Sequence, residues 1–174
     1  MYPKAKLSFL PTLCMHCEDP PCLKSCPTKA ITQREDGSVL INENKCTGAA
    51  ACVSACPYDA IRVWEKEIMT YGEGEPTPLD AYARMKHRIG AAEKCTFCSH
   101  RMDFARENGL RPGVDREATP ACVIACPVEC RIFGDLEGPV SPPTKYMKEA
   151  REKGRKVFVL RPEANTHPKV VYIG

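Results

Sequence analysis

Twelve cysteines constrain the fold of this 174-residue chain more than any other feature, because they form three groups that end alike. Each group closes with Cys-x3-Cys-Pro, at residues 22–27, 52–57 and 122–127. A chain with so many cysteines joins them in disulfides or uses their thiolates to bind metal. Either arrangement makes the loops around the cysteines, rather than a large apolar core, a main source of stability.

Metal binding is favoured over disulfides by the start of the chain and by its hydropathy. A secreted disulfide scaffold should carry an export signal, but residues 1–6 contain no apolar segment. No other stretch is long and apolar enough to span a membrane. We therefore expect assembly in the reducing cytoplasm, with no signal peptide or transmembrane segment of the chain's own.

The first two groups have the spacing with which bacterial ferredoxins bind iron–sulfur clusters. The first runs Cys-x2-Cys-x4-Cys-x3-Cys-Pro, and the second runs Cys-x2-Ala-x2-Cys-x3-Cys-Pro. Three cysteines of such a run bind one cluster, and the fourth binds the partner cluster. This crossing predicts two sites, which are site A (Cys14, Cys17, Cys22 and Cys56) and site B (Cys26, Cys46 and Cys52).

Site B has only three thiolates, because Ala49 stands where the second run would have its second cysteine. An alanine side chain cannot bind iron, so a cubane at this site would have one iron without a protein ligand. Loss of that iron leaves a three-iron centre. We expect a [4Fe-4S] cluster at site A and a [3Fe-4S] cluster at site B.

The third group predicts a second [4Fe-4S] cluster, at site C. Site C comprises Cys95, Cys98, Cys122 and Cys126. In the ferredoxin pattern, Cys126 would bind a partner cluster, but the other ligands of that cluster are absent. The fourth ligand of site C is therefore Cys126 or Cys130. Cys130 also stands where the other groups have Ala30 and Ala60, which suggests a small buried residue. Alternatively, residues 95–126 hold a structural zinc ion and serve as an interaction module.

An internal repeat organises the chain, because the first group recurs in the second at an offset of 30 residues. The two copies predict a two-cluster ferredoxin module over residues 1–66. A connector (67–94), the third cysteine group (95–140) and a C-terminal helix and strand tail (141–174) follow. We expect an α+β, bacterial-ferredoxin-like fold, with short helices and strands wrapped around the clusters.

Turn residues and apolar spacing predict the individual elements. Residues 34–38 form a turn that joins the first two strands into a hairpin. Each half of the module also has a short helix that carries its last two cysteines. The other predicted elements are helices over 79–88, 99–107 and 144–153, strands over 30–32, 39–41, 60–64, 157–160 and 170–173, and a loop over 72–78.

Charge and motifs exclude two classes of function. The net charge is only +3, from 25 basic and 22 acidic residues, and the basic residues are not grouped with aromatic ones. Nucleic-acid binding therefore has no support. No nucleophile–base pair or Gly-rich phosphate loop is present, so the chain is predicted to transfer electrons without a catalytic site of its own.

Charged and imidazole side chains next to the cysteines are candidates for tuning the clusters. His16 and His100 are interpreted as hydrogen-bonding or surface residues, because Rieske centres pair two histidines with two cysteines on a different spacing. Lys45, Lys94 and Arg101 flank ligand loops. They either compensate the charge of a cluster or are ordinary exposed basic residues.

Residues 14–22, the Ala49 variant of the second run and residues 132–136 resemble the iron–sulfur subunits of molybdopterin oxidoreductases. The similar members are of the dimethyl sulfoxide, polysulfide and thiosulfate reductase types, and the resemblance covers nearly the whole chain. It implies electron transfer in a complex with a molybdenum or tungsten pterin catalytic subunit. A membrane anchor subunit or a soluble electron acceptor would be the other partner. The resemblance also leaves the final location open, because members without a signal are exported folded with their partner.

The chain departs from this family in two places. Members usually have four cysteine groups and four clusters, and the N-terminal group is missing here. We expect either a natural shortened form or a misassigned start at Met1. The second departure is Ala49, which falls where nitrate reductase iron–sulfur subunits carry a non-cysteine residue and a [3Fe-4S] cluster.

Overall fold

The computed structural model describes residues 9–66 and 75–174, which form short helices and small two-stranded sheets. The helices are α1 (Pro21–Ser25), α2 (Ala51–Ala55), α3 (Pro78–Lys86), α4 (Ser99–Asn108), α5 (Ala121–Ile124) and α6 (Pro142–Glu152). The strands are β1 (Ile31–Gln33), β2 (Val39–Ile41), β3 (Arg62–Val63), β4 (Ala92–Glu93), β5 (Val157–Phe158) and β6 (Tyr172–Ile173). This mixture fits the predicted α+β class. Residues 72–74 of the predicted loop lie outside the described residues.

Strands β1 and β2 form the antiparallel hairpin that the sequence predicts, with Ile31 opposite Ile41. Its turn needs a positive φ at Gly37, which has a φ of 76°. The Asp36 carboxylate accepts a hydrogen bond from the backbone N–H of Ser38 at 2.9 Å, which closes the turn. Arg34 then forms an ion pair with Asp103 on α4, so the hairpin is fixed to the third cysteine group.

Helices α1 and α2 pack against each other and carry equivalent cysteines, Cys22 and Cys52. Both helices end at the cysteine that precedes the proline, where ψ is 112° at Cys26 and 113° at Cys56. Proline disfavours a helical conformation in the residue before it, which explains these two ends. The Cys-Pro sequence therefore terminates each helix and places its last cysteine beyond the helix.

All three Cys-Pro turns have the same backbone conformation. The N–H three residues after the cysteine donates to its carbonyl at 3.2 Å in the first and third turns and 3.3 Å in the second. The donors are Lys29, Asp59 and Glu129, and each has a positive φ between 48° and 53°. The third group thus reproduces the local geometry of the ferredoxin halves.

Strand β3 is shorter than the predicted strand over 60–64, and it pairs with β4 in the connector. Trp64 extends this pairing, because its N–H donates to Ala91 and its carbonyl accepts from Gly90. Its ring stacks on His87, with centroids 4.4 Å apart. The connector therefore packs directly on the second half of the repeat.

Helices α3, α4 and α6 lie close to their predicted positions. A capping box between Thr77 and Asp80 begins α3. Gly109, with a φ of 65°, ends α4, and Gly154, with a φ of 69°, follows α6. None of the described helices has both the length and the apolar character that crossing a membrane requires.

The C-terminal tail returns to the first cysteine loop. Strands β5 and β6 pair antiparallel, and the N–H of Lys169 then donates to the carbonyl of Met15 at 2.9 Å. The N–H groups of Glu18 and Asp19 donate to carbonyls of the tail. A small core of Met15, Cys17, Tyr58 and Tyr172 joins the two ends of the described chain.

Candidate metal centres

Site A is a pocket whose lining includes all four of its predicted cysteines. Three come from the first loop and α1, and Cys56 comes from the second half of the repeat. The remaining lining is largely apolar, with Met15, Val39 and Ile61 all nearly inaccessible to solvent. The structure thus brings together in one pocket the cysteines that the crossing rule assigns to this site.

Two thiols of site A, those of Cys17 and Cys22, are buried near other thiols, which opposes their ionisation. Burial and the neighbouring thiol of Cys14 raise the pKa of Cys22 to about 12. Burial also raises the pKa of Cys17, although the hydroxyl of Thr166 acts in the opposite direction. Thiolates can occupy such a pocket together when positive charge is bound among them. This set of soft sulfur donors fits an iron–sulfur cluster.

Site B gathers Cys26, Cys46 and Cys52 from both halves of the repeat. Burial raises the pKa of Cys52, and the thiols of Cys46 and Cys26 add to that shift. Backbone N–H groups point at two of the sulfurs, because Ala30 donates to Cys26 and Ala92 donates to Cys46, each at 3.3 Å. Such bonds stabilise a thiolate, so these three residues also fit a cluster.

The loop of site B leaves the position of the missing ligand open to solvent. Ala49 and Ala50 are both exposed, and Ala50 has a φ of 55°. Gly48 packs so closely on the connector that a Cβ would lie 2.4 Å from the carbonyl oxygen of Gly90. The Arg88 guanidinium also donates to the carbonyl of Cys46 at 3.3 Å. The connector therefore holds the shape of this loop.

Site C is less complete and more exposed than the other two sites. Burial raises the pKa of Cys95, and the thiols of Cys14 and Cys122 act on it in the same direction. Cys98 is half-buried at the start of α4, whereas Cys122 on α5 is exposed. Cys95 thus lies between a cysteine of its own group and Cys14 of site A.

Cys126 and Cys130 lie next to each other, with their sulfur atoms 3.5 Å apart. Cys130 is exposed, so its interpretation as a small buried residue is wrong. Ala30, at the equivalent position of the first group, is 1% exposed because the β1–β2 hairpin and the second half of the repeat cover it. No such half covers Cys130 in the part of the chain that is described. Which of the two provides the fourth ligand of site C stays a prediction.

The placement of the metal-binding side chains does not fit a zinc ion. Across residues 9–66 and 75–174, no three His, Cys, Asp or Glu side chains lie close enough to hold one metal ion. A structural zinc ion takes four ligands at about 2.0 to 2.3 Å. A cluster of several irons accommodates ligands that are farther apart.

His16 is buried between the first and third cysteine groups. Its Nδ1 accepts a hydrogen bond from the backbone N–H of Val39 at 2.9 Å. Its ring stacks on Phe97 at 3.7 Å. Burial and the charge of Lys94 lower its pKa to about 3, so the imidazole is neutral. His100, in contrast, is exposed.

Thr166 and Tyr58 contribute to site A, although no cysteine motif contains them. Their hydroxyls form a buried hydrogen bond of 2.6 Å, and the Thr166 hydroxyl also acts on Cys17. Thr166 lies 149 residues after Cys17 in the chain, so the spacing of the cysteines gives no signal for this contact.

The two halves of the repeat match a known protein family, the 4Fe-4S dicluster domain, over residues 5–75. The arsenate respiratory reductase iron–sulfur subunit of Shewanella sp. is 35% identical over 99% of this chain and 77% of its own length. The chain belongs to the iron–sulfur subunits of molybdopterin oxidoreductases. Sites A and B lie within the matched domain, and site C lies beyond it.

Two further members of this family are similar to the chain at comparable identity. A putative dimethyl sulfoxide reductase iron–sulfur subunit of Halobacterium salinarum is 39% identical over 97% of the chain. A tetrathionate reductase subunit of Salmonella typhimurium is 38% identical over 95%. The alignments cover 56% and 52% of these relatives, so the chain spans about half of their length.

Proposed function

We propose that this chain transfers electrons through three iron–sulfur clusters, as the small subunit of a pterin-containing oxidoreductase complex. Site A would hold a [4Fe-4S] cluster, site B a [3Fe-4S] cluster and site C a second [4Fe-4S] cluster. The observation that carries the proposal is the pocket of site A, where four cysteines from both halves of the repeat line one cavity. The family match and the relatives support the same conclusion.

The residues around the sites have two tasks in this function. When bound, the clusters supply one-electron oxidation and reduction. The apolar side chains of Met15, Val39 and Ile61 exclude water from one side of site A. The N–H groups of Ala30 and Ala92 donate to thiolates of site B and offset their negative charge. No residue of the described chain is needed for substrate chemistry in this proposal.

The partners follow from the family. We propose that a molybdenum or tungsten pterin subunit exchanges electrons with the cluster at one end of the series formed by sites A, B and C. A membrane anchor subunit or a soluble acceptor would exchange them at the other end. The relatives are named as parts of reductases for arsenate, dimethyl sulfoxide and tetrathionate, so their substrates differ although their sequences are similar. The catalytic subunit would accordingly set the substrate of this complex.

Metal analysis with electron paramagnetic resonance (EPR) tests the proposal on the full chain purified without oxygen. Iron, zinc and acid-labile sulfide are measured, and spectra are recorded as isolated and after dithionite. About eleven irons with a [3Fe-4S] signal in the oxidised protein are expected. About seven irons and one zinc would show that site C is structural. Absence of iron and sulfide would contradict the electron-transfer function itself.

A further inference from the structure

Lys94 is half-buried, and its hydrogen bonds join residues of sites A and C. Its ammonium group donates to the carbonyl of Val39 and, at 3.2 Å, to the carbonyl of Cys95. Lys45 is exposed beside site B, and Arg101 donates to the carbonyls of Arg116 and Thr119. Of these three residues, only Lys94 is held by the backbone next to two sites.

The position of Lys94 is fixed by one of the most buried residues of the chain. Val39 is 1% exposed and belongs to the core that contains Cys22 and Cys52. Its carbonyl accepts from Lys94, and its N–H donates to His16. The ammonium and the imidazole are therefore anchored to the same residue of β2. A side chain held in this way keeps its charge at one place.

The two carbonyls that hold Lys94 belong to residues of two different sites. Val39 lines the pocket of site A, and Cys95 is a predicted ligand of site C. Neither residue is a predicted ligand of site B.

We propose that Lys94 is a fixed positive charge shared by sites A and C. It raises the reduction potentials of the clusters at these two sites and leaves the potential of the cluster at site B nearly unchanged. The proposal rests on the proposed function, because it requires bound clusters. Reduction adds a negative charge to a cluster, and a nearby cation stabilises that charge. The effect is larger for a half-buried cation such as Lys94 than for an exposed one, because water and salt screen it less.

Three variants of the full chain test this role in redox titrations followed by EPR. Lys94→Gln removes the charge but retains an N–H donor, whereas Lys94→Arg retains the charge. Lys45→Gln is the matched control, because it removes an exposed cation next to Cys46 of site B. Iron and sulfide are counted on every sample, so loss of a cluster is distinguished from a shift of its potential.

We expect Lys94→Gln to lower the reduced fraction of both [4Fe-4S] clusters at a fixed solution potential. The expected fall in the ratio of reduced to oxidised cluster is about three- to tenfold, or roughly 30 to 60 mV for a one-electron couple. The [3Fe-4S] signal should titrate as in the parent protein. Lys94→Arg should keep the potentials of both [4Fe-4S] clusters close to those of the parent protein. Lys45→Gln should shift these two potentials much less than Lys94→Gln does.

Two results would overturn the role of Lys94 while leaving the proposed function intact. One is a full complement of iron with unchanged potentials in Lys94→Gln. The other is loss of iron from site C, in both Lys94→Gln and a further variant, Lys94→Met, while the reduction potential of the cluster at site A stays unchanged. That result would show that Lys94 has a purely structural role. A parent protein without clusters would instead contradict the proposed function, and this inference with it.

Discussion

Ala49 is the residue that sets the number of thiolates at site B, and its exposure makes its role easy to test. We predict that Ala49→Cys raises the iron bound at this site from about three to about four atoms. The new thiolate would hold the iron that otherwise has no protein ligand. The measurement is the iron content together with the [3Fe-4S] EPR signal of the oxidised protein, which should disappear.

Ala49→Val is the control for this change, because it alters the side-chain volume at the same exposed position without adding a ligand. It should keep the [3Fe-4S] signal. A parent protein that already contains four irons at site B, or an Ala49→Cys variant that keeps the three-iron signal, would contradict the assignment.

The fourth ligand of site C is also decided by single residues. Cys126 follows its helix in the same turn as Cys26 and Cys56, whereas Cys130 has no counterpart among the other groups' cysteines. We therefore predict that Cys126→Ser removes about four irons and that Cys130→Ser removes none. Iron analysis of the two variants, prepared side by side without oxygen, makes the measurement. The opposite pattern would identify Cys130 as the ligand.

At the scale of elements, the C-terminal tail contacts site A through Thr166, whose hydroxyl bonds to Tyr58 in the lining of the pocket. We predict that Thr166→Val, which keeps the shape but removes the hydroxyl, leaves Tyr58 without its partner in a buried place. An unsatisfied buried hydroxyl costs about 1–3 kcal/mol of stability. Iron should leave site A faster when a chelator is added, as followed by the decay of cluster absorbance.

The control for the tail is Thr32→Val, which makes the same chemical change on the exposed face of β1. It should lose iron at the parent rate. Equal rates for Thr166→Val and Thr32→Val would show that the hydroxyl of Thr166 does not protect site A.

The sequence predicted those elements whose ends are set by nearby residues. Helix α1 begins at the prolines at positions 20 and 21, and α3 begins after the capping box at Thr77. Both signals act on neighbouring residues only, so the sequence alone indicates where these helices begin. Strand β4 was missed, because two residues carry little periodicity and its pairing with β3 depends on the fold of the connector. Cysteine spacing assigns four cysteines to site A, and all four line one pocket, but their binding of iron stays a prediction.

At the scale of the whole molecule, the predicted ligands are themselves part of the core. Cys22 and Cys52 belong to one hydrophobic cluster, and Cys17 belongs to the other. No described helix exceeds 11 residues, and no described strand exceeds three. Bound clusters would therefore contribute much of the stability, as in other small metal-bound domains.

We predict that removing the clusters with a chelator and an oxidant lowers the unfolding temperature and weakens the far-ultraviolet circular dichroism. Metal binding to such ligands contributes several kcal/mol to the stability of the folded state. The free energy of unfolding of a protein of this size is about 5 to 15 kcal/mol, so this contribution is a large part of it. Circular dichroism during heating, before and after iron removal, makes the measurement. An unchanged melting curve would mean that the apolar core alone holds the fold.

The contacts between the tail and the first cysteine loop have a consequence for how the protein is made. Thr166, Lys169 and Tyr172 follow all twelve cysteines in the chain, so a ribosome adds them after every predicted ligand has been synthesised. Until then the first loop lacks the contacts that the tail makes with Met15 and Pro11. The last contacts around site A therefore form only after the whole set of cysteines has been made.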